Sequence, residues 1–132
     1  MVTLQVLSVT IHQKKEGEYM IIWNQTRGVI LADSCDIADS FLKRFLGLMP
    51  KTSLSLGSGL LITPCNSIHM FFMKFPIDAV FIDKDYNIIY MIENFMPWKC
   101  SKIIKHAHSV LELPAGTINR TMTSVGDKLR RE

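Results

Sequence analysis

The chain has 132 residues, 48% of them hydrophobic and 20% charged, and its formal net charge is +3. A chain of this size and composition folds as a single domain, here residues 1–132, with a core of its own, which argues against intrinsic disorder. The small positive excess lies largely near the two ends and forms no internal basic stripe, so it argues against nucleic-acid binding.

Cysteine usage and hydropathy bear on where the protein works. The three cysteines are an odd number without a CxxC pair. This favours reduced thiols in the cytoplasm, with a disulfide between Cys65 and Cys100 as the open alternative. Residues 1–11 lack the basic start of a signal peptide, and no apolar run approaches the length of a membrane span. We therefore expect a soluble, cytoplasmic domain that makes no membrane contact.

The chain begins with segments of β-type sequence. Residues 1–11 alternate apolar and polar side chains, which predicts a strand within an N-terminal extension of residues 1–17. Residues 19–23 and 29–32 are apolar runs separated by a turn cluster that ends in Gly28. Two such runs around a short turn predict a β-hairpin.

The one main helix is predicted over about residues 37–46. Apolar side chains recur every fourth residue from Ile37 to Phe45, which is the spacing of one helix face. Asp36 is placed to accept hydrogen bonds from the first free amides of this helix. Gly47 supplies a natural end.

The rest of the chain consists of predicted short strands and turns. Apolar runs bounded by turn residues predict strands in residues 59–63, 77–82, 88–92 and 109–113, and residues 117–122 suit a helical turn. Residues 68–75 are apolar on both alternating faces, which predicts a strand or turn segment that crosses the interior as extended backbone. The fold class is therefore mainly β (α+β), a small β-sandwich or partly open barrel of about seven to eight short strands with one main helix.

Signatures of metal, cofactor or nucleophilic chemistry do not occur in the sequence. Cys65 and His69 are four residues apart. In extended chain this spacing separates them by about 13 Å, too far to share a metal ion. Neither a GxGxxG nor a GxxxxGKS/T phosphate loop occurs, and there is no GxSxG elbow. We therefore expect no metal site and no cofactor.

Three side chains stand out as candidates for a site. Asp78 interrupts an apolar run, so it lies either on a wetted sheet face or buried and paired. If Asp78 is buried, its hydrogen-bond donors would be backbone amides, Lys74 or Arg44. Trp98 on a loop suits either the floor of a pocket or a partial core plug. Glu112 lies between two leucines, which favours an outward surface charge over an acid catalyst.

A series of short segments resembles a known family. The segments are residues 44–49 (RFLGLM), 68–78 (IHMFFMKFPID), 81–85 (FIDKD), 97–98 (PW), 110–116 (VLELPAG) and 126–127 (GD). In this order they are similar to the landmarks of domain-of-unknown-function family 192, over about residues 20–129. Tyr86 stands where that family usually has Gly, so Asn87 is expected to take the left-handed position of the turn.

The resemblance implies a compact β-sandwich-like fold with a helix packed on it, and no established activity. Motif positions matched to the family are candidates for structure or function. Together with Trp98 they make up the candidate binding residues: Arg44, His69, Met73, Asp78, Glu112 and Trp98.

Three functions stay open at this point. The preferred hypothesis is a ligand-binding or interaction module for an unidentified small molecule or protein, without membrane or nucleic-acid contact. One alternative is a small enzyme that uses Asp78 or His69 as acid or base in a cleft, although no catalytic motif favours an enzyme. The other is a protein–protein interaction module that uses a sheet edge or an apolar patch. The sequence does not specify an oligomeric state.

Overall fold

The computed structural model describes residues 19–132. Its elements are β1 (Met20–Asn24), β2 (Val29–Ala38), α1 (Phe41–Leu46), β3 (Ser58–Ile62), β4 (Ile77–Ile82), β5 (Ile88–Phe95), β6 (Ser109–Pro114), α2 (Thr117–Thr121) and β7 (Leu129–Arg131). The strand expected in residues 1–11 lies outside the described residues. Within residues 19–132, no helix is long and apolar enough to span a membrane.

All of these strands belong to one sheet, in the order β5-β4-β6-β3-β2-β1-β7. The neighbours β2 and β3 run parallel, and the other neighbouring pairs are antiparallel. The sheet curls, and Asn87 just before β5 forms a β-bridge with Lys128 just before β7. The result is a half-barrel, which confirms the mainly β prediction in its partly open barrel form.

Both faces of the central sheet are covered. Every residue of β4 and β6 is buried. Along β4, Ala79 and Phe81 join one core cluster, whereas Val80 and Ile82 join the other. The first cluster is completed by side chains from the connecting segments, among them Met70. These connections therefore form a second layer over one sheet face, and a site has room to form between the two layers.

Helix α1 is shorter than predicted, because it begins at Phe41 and not at Ile37. Its N-cap is Ser40 and not Asp36, and the Ser40 hydroxyl accepts a hydrogen bond from a backbone N–H of the first turn at 3.2 Å. Ile37 instead belongs to β2, where it pairs with Leu61 of β3. A β-branched side chain suits the sheet, so this long-range pairing outweighs the local helical spacing.

The apolar side of α1 does not pack into the core. Phe41 is 79% exposed and Phe45 is 58% exposed, and no residue of this helix is buried. Short helices gain most of their stability from packing and capping, and here capping by Ser40 and Gly47 defines both ends. The helix therefore stands away from the sheet and leaves a cleft along its apolar side.

Residues 68–75 turn at the surface instead of crossing the interior. A backbone hydrogen bond from the Met73 N–H to the Met70 carbonyl closes the turn at 3.2 Å. Met70 and Met73 are buried, whereas Phe71 and Phe72 are exposed. The prediction of extended backbone buried on both sides is therefore wrong. A run of apolar residues carries no signal for a turn that sends half of them outward.

The hairpin between β4 and β5 forms as predicted, with a different turn residue. Tyr86 has a φ of 66°, so it occupies the left-handed position that was expected for Asn87. The Asp83 side chain fixes the turn, because its Oδ1 accepts hydrogen bonds from the N–H groups of Asp85 and Asn87 at 2.9 Å. These two bonds hold the turn with Tyr86, and not a glycine, in the left-handed position.

A buried polar cluster fastens β1 to the segment before β7. The Asn24 amide donates hydrogen bonds to Thr123 Oγ1 at 3.1 Å and to Asp127 Oδ2 at 2.9 Å. Arg27 Nε and the Ser124 N–H donate to the same Asp127 oxygen, at 3.0 and 2.9 Å. Because Asn24 and Asp127 are buried, these bonds replace those that water makes in the unfolded chain.

Replacement of Asn24 tests this cluster. Asn24→Ala removes both donated bonds, so the buried Thr123 hydroxyl and the Asp127 carboxylate each lose one hydrogen bond. We expect the free energy of unfolding, measured by urea denaturation, to fall by about 2–3 kcal/mol. Gln25→Ala at the adjacent exposed position is the control and should stay within about 0.5 kcal/mol of wild type. Equal losses in the two variants would contradict the assigned role.

Candidate functional site

A cleft of about 520 Å³ opens between α1, the turn at Gly47 and residues 64–73. Ile62 of β3 and Glu112 of β6 contribute the sheet side of this cleft. Four of the candidate residues line it, and these are Arg44, His69, Met73 and Glu112. The other two candidates, Asp78 and Trp98, lie elsewhere.

The Glu112 carboxyl is the most unusual group in the cleft. Leu111 and Leu113 join the core cluster on the opposite sheet face, so strand alternation directs Glu112 toward the covered face. The residue is only 4% exposed. Within residues 19–132 no group donates a hydrogen bond to its carboxyl, and burial alone accounts for its pKa. The expectation of an outward surface charge is therefore wrong.

Burial raises the pKa of Glu112 to about 8. The charged form loses its hydration and gains no donor, so the carboxyl is mostly protonated at neutral pH. Every fully enclosed polar side-chain atom in the described part of the chain has a hydrogen-bond partner. The unpaired Glu112 oxygens therefore meet the cleft and are not sealed in the core.

Gly47 brings the end of α1 close to this carboxyl. A Cβ at Gly47 would lie 3.9 Å from Glu112 Oε1. The φ of Gly47 is 50°, in the left-handed region that glycine adopts at little cost. The same residue thus ends the helix and leaves the space above Glu112 open.

Arg44 is held in a fixed orientation at the side of the cleft. Its Nε donates a hydrogen bond to the Ser40 carbonyl at 3.4 Å, and its Nη1 donates to the Pro64 carbonyl at 3.2 Å. Both acceptors are neutral, and no described carboxylate forms a salt bridge with this guanidinium. Its positive charge is therefore not neutralised by the described residues.

The charges of both Arg44 and Glu112 act on the thiol of Cys65. Burial raises the pKa of the Cys65 thiol above its ordinary value, and the charge of Glu112 adds to this, whereas the Ser67 backbone and the charge of Arg44 lower the pKa in part. The thiol donates to the Ser67 carbonyl at 3.1 Å. Cys65 and Cys100 are free thiols, as reduced cysteines were expected to be, and the alternative disulfide between them is not formed.

His69 is one of the residues that line the cleft. Its backbone forms a β-bridge with Cys100, and its Nδ1 accepts a hydrogen bond from the Phe71 N–H at 3.3 Å. This bond assigns the proton of the neutral ring to Nε2, which makes Nε2 a donor. The ring also stacks on Phe71 at a centroid distance of 5.0 Å. Met73 is buried and adds an apolar wall.

Asp78 caps α2 from within the core. It has no exposed surface, and its Oδ2 accepts hydrogen bonds from the N–H groups of Gly116 and Ile118 at 3.1 and 2.9 Å. Its Oδ1 accepts from the Asn94 N–H at 2.9 Å. Of the placements left open by the sequence, the structure shows a buried carboxylate paired with backbone amides. Its geometry gives no support to an acid–base role.

Trp98 lies at the surface, outside the cleft. It is 61% exposed and packs edge-on against Phe72 at a centroid distance of 4.9 Å. Its φ is 71° and that of Phe72 is 64°, so two bulky side chains occupy the left-handed region. Neither the pocket floor nor the core plug expected from the sequence describes this position. An exposed aromatic pair keeps the interaction-module hypothesis as a prediction.

A second recess of about 550 Å³ is lined mainly by polar and basic side chains, including Lys84, Lys128, Arg130 and Arg131. Arg130 already forms a salt bridge with Glu132 at 2.8 Å. No group of three or more His, Cys, Asp or Glu within residues 19–132 is arranged to hold a metal ion.

The fold and the cleft define the class of this protein. It is a small domain built on a seven-stranded half-barrel, and its connecting segments enclose a cleft over an unpaired carboxyl. The sequence profile of the family DUF192, described as uncharacterized ACR, matches residues 22–131. A UPF0127 protein of Thermococcus sibiricus is 33% identical in an alignment of 113 residues that covers 80% of this chain and 71% of that protein. The chain belongs to the DUF192 family, which confirms the resemblance.

Two crystal structures share the fold. A protein of unknown function from Novosphingobium aromaticivorans gives a TM-score of 0.73 at 21% identity, over 84% of this chain and 82% of that one. A protein from Sinorhizobium meliloti, provisionally named a transcription regulator, gives a TM-score of 0.71 at 27% identity, over 89% of this chain and 98% of that one.

The structural role of Asp78 is tested by a variant of the same shape. Asp78→Asn places an amide N–H₂ among three backbone donors that need an acceptor. We expect the free energy of unfolding to fall by about 2–4 kcal/mol in urea denaturation. Asp85→Asn on the exposed hairpin is the control and should change it by less than about 0.5 kcal/mol. A stable Asp78→Asn variant would show that the cap is dispensable.

The raised pKa of Glu112 predicts a specific pH dependence of stability. Its contribution is fully present below the ordinary pKa of 4.5 and is lost as the pH rises through about 8. From about pH 5 to pH 9, the unfolding free energy of Glu112→Gln should rise relative to wild type by roughly 3–5 kcal/mol. Urea denaturation at a series of pH values measures this difference. The exposed control Glu93→Gln should differ from wild type by an amount that does not change with pH. The same result for Glu112→Gln would refute the burial of Glu112.

Proposed function

We propose that this domain binds a small organic molecule in the cleft between α1 and residues 64–73. The observation that carries the proposal is the Glu112 carboxyl, which is buried and lacks a partner among the described residues. A ligand that supplies the missing partner would explain why a carboxyl is buried at this position, which packing alone does not explain.

A buried carboxyl without a partner lowers the stability of the fold. A buried polar group without a hydrogen bond costs roughly 1–3 kcal/mol, and a buried charge costs more. An apolar side chain of similar size between Leu60 and Ala79, the two residues paired with Glu112, would avoid this cost. Destabilising groups that face a cavity are typical of functional sites. We therefore assign Glu112 to ligand recognition.

The rest of the cleft supports the same proposal. Its volume of about 520 Å³ is in the range of small-molecule sites. Its lining is largely apolar, with a few polar groups that converge on one space: Arg44, Cys65, His69 and Glu112. Phe41, Phe45 and Phe71 add aromatic surface at its rim. This combination gives apolar contact area together with a few oriented polar contacts.

One observation favours a second candidate, an enzyme. A carboxyl with a pKa near 8 exchanges its proton readily at neutral pH, which suits a general acid or base. In that case Glu112, and not Asp78, would be the acid–base group, with His69 on the cleft wall. Chemical conversion of a compound that binds the cleft would distinguish this candidate from a binding module.

Binding is tested by screening metabolites against the protein by thermal shift, followed by mapping of hits on backbone amide NMR spectra. We expect hits that raise the melting temperature by a few degrees at concentrations well above their Kd. The amide resonances that move should belong to α1, Gly47 and residues 64–73. Hits that move only resonances at the second recess, or a broad panel without hits, would contradict the proposal.

A further inference from the structure

The charges of the cleft identify a class of ligand, an inference that rests on the proposed function. We propose that the cleft binds a small zwitterion whose anionic group pairs with Arg44 and whose primary ammonium group pairs with Glu112. An α-amino acid or a dipeptide with apolar side chains is the simplest molecule of this class.

Arg44 and Glu112 line different parts of the cleft. Arg44 is positively charged, and Glu112 becomes negatively charged when it loses its proton. Arg44 belongs to α1 and Glu112 to β6, and both act electrostatically on Cys65. They form no salt bridge with each other. The two side chains do not pair with each other. A ligand with a negative and a positive end can therefore pair with both at once.

Neither Arg44 nor Glu112 has an oppositely charged partner in the described part of the protein. The Arg44 guanidinium donates only to the neutral carbonyls of Ser40 and Pro64, which orient it and leave Nη2 without a described acceptor. The Glu112 carboxyl receives no hydrogen bond from residues 19–132. A simple anion would satisfy Arg44 and leave Glu112 unpaired. A simple amine would satisfy Glu112 and be repelled by Arg44.

The remaining lining fits the other parts of such a molecule. Phe41, Phe45 and Phe71 offer apolar surface for a hydrophobic side chain. His69 Nε2 is a second donor for the anionic group, because Nδ1 is occupied by the Phe71 N–H. An ammonium ion also gains from aromatic surface close to it.

Pairing of Glu112 with an ammonium group requires the carboxylate form. The titratable groups that line the cleft are Arg44 from α1, Cys65 and His69 from residues 64–73, and Glu112 itself. At a pH below the raised pKa of Glu112, the carboxyl is protonated in the free protein. It gives this proton to the buffer when the ammonium group binds. The ammonium nitrogen keeps its own protons. Binding of a zwitterion at neutral pH should therefore release close to one proton.

Isothermal titration calorimetry at pH 7 with matched ligands tests this inference on the full chain. The probes are L-leucine and leucyl-leucine, with N-acetyl-leucine lacking the ammonium group and leucinol lacking the carboxylate. We expect the better of the two zwitterions to bind at least about tenfold more tightly than either partial analogue. Repeating the titration in buffers of different ionisation enthalpy should show the release of close to one proton.

Variants assign each charge to its partner. Glu112→Gln should abolish proton release and weaken zwitterion binding about tenfold, while N-acetyl-leucine is unaffected. Arg44→Gln should weaken the zwitterion about tenfold and leave leucinol unchanged or bound more tightly. Lys43→Gln, at an exposed neighbour on α1, is the control and should match wild type. If Glu112→Gln does not fold, the ligand comparison on the wild-type protein still decides.

The outcomes separate this inference from the function on which it rests. N-acetyl-leucine or leucinol binding as tightly as the zwitterions would overturn the zwitterion assignment and leave a ligand cleft in place. Binding of other metabolites in the cleft, with none of these probes bound, would do the same. A cleft that binds nothing from any panel would overturn both.

Discussion

The Glu112 carboxyl is enclosed by two layers of structure, and neither layer supplies it with a hydrogen-bond donor within residues 19–132. Strand β6 directs the side chain out of the sheet, and the connecting segments with the end of α1 then cover it. Because the carboxyl is buried, its neutral form is favoured, and because it meets a cleft, a ligand can reach it. The candidate site depends on this combination more than on any other contact.

The protein contains an internal comparison for this interpretation. Asp78 is at least as deeply buried as Glu112, yet its two oxygens accept three backbone hydrogen bonds. The start of α2 and the turn at Asn94 supply these three donors. The described part of the fold thus supplies hydrogen-bond donors to the side chain of Asp78 and none to that of Glu112. Satisfied buried groups hold the fold together, whereas unsatisfied groups beside a cavity indicate a ligand.

Local patterns in the sequence predicted the parts of the fold that local forces determine. The hairpins and most strands follow from apolar runs bounded by turn residues, and the family landmarks identified four residues that line the cleft. The helix start was missed because Ile37 pairs with Leu61 far along the chain. The surface position of residues 68–75 was missed for a similar reason, since this turn is held against residues 98–101 by long-range backbone hydrogen bonds.

Glu112 shows most clearly what sequence alone leaves out. Alternation between two leucines established that the side chain faces the other side of the sheet, but not that connecting segments cover that side. A carbon-detected NMR titration of the Glu112 side-chain carboxyl tests the account most directly. Burial of this carboxyl predicts a single titration with a midpoint near 8 in the ligand-free protein. A midpoint close to the ordinary value of 4.5 would show that the group is solvated and would contradict the central claim.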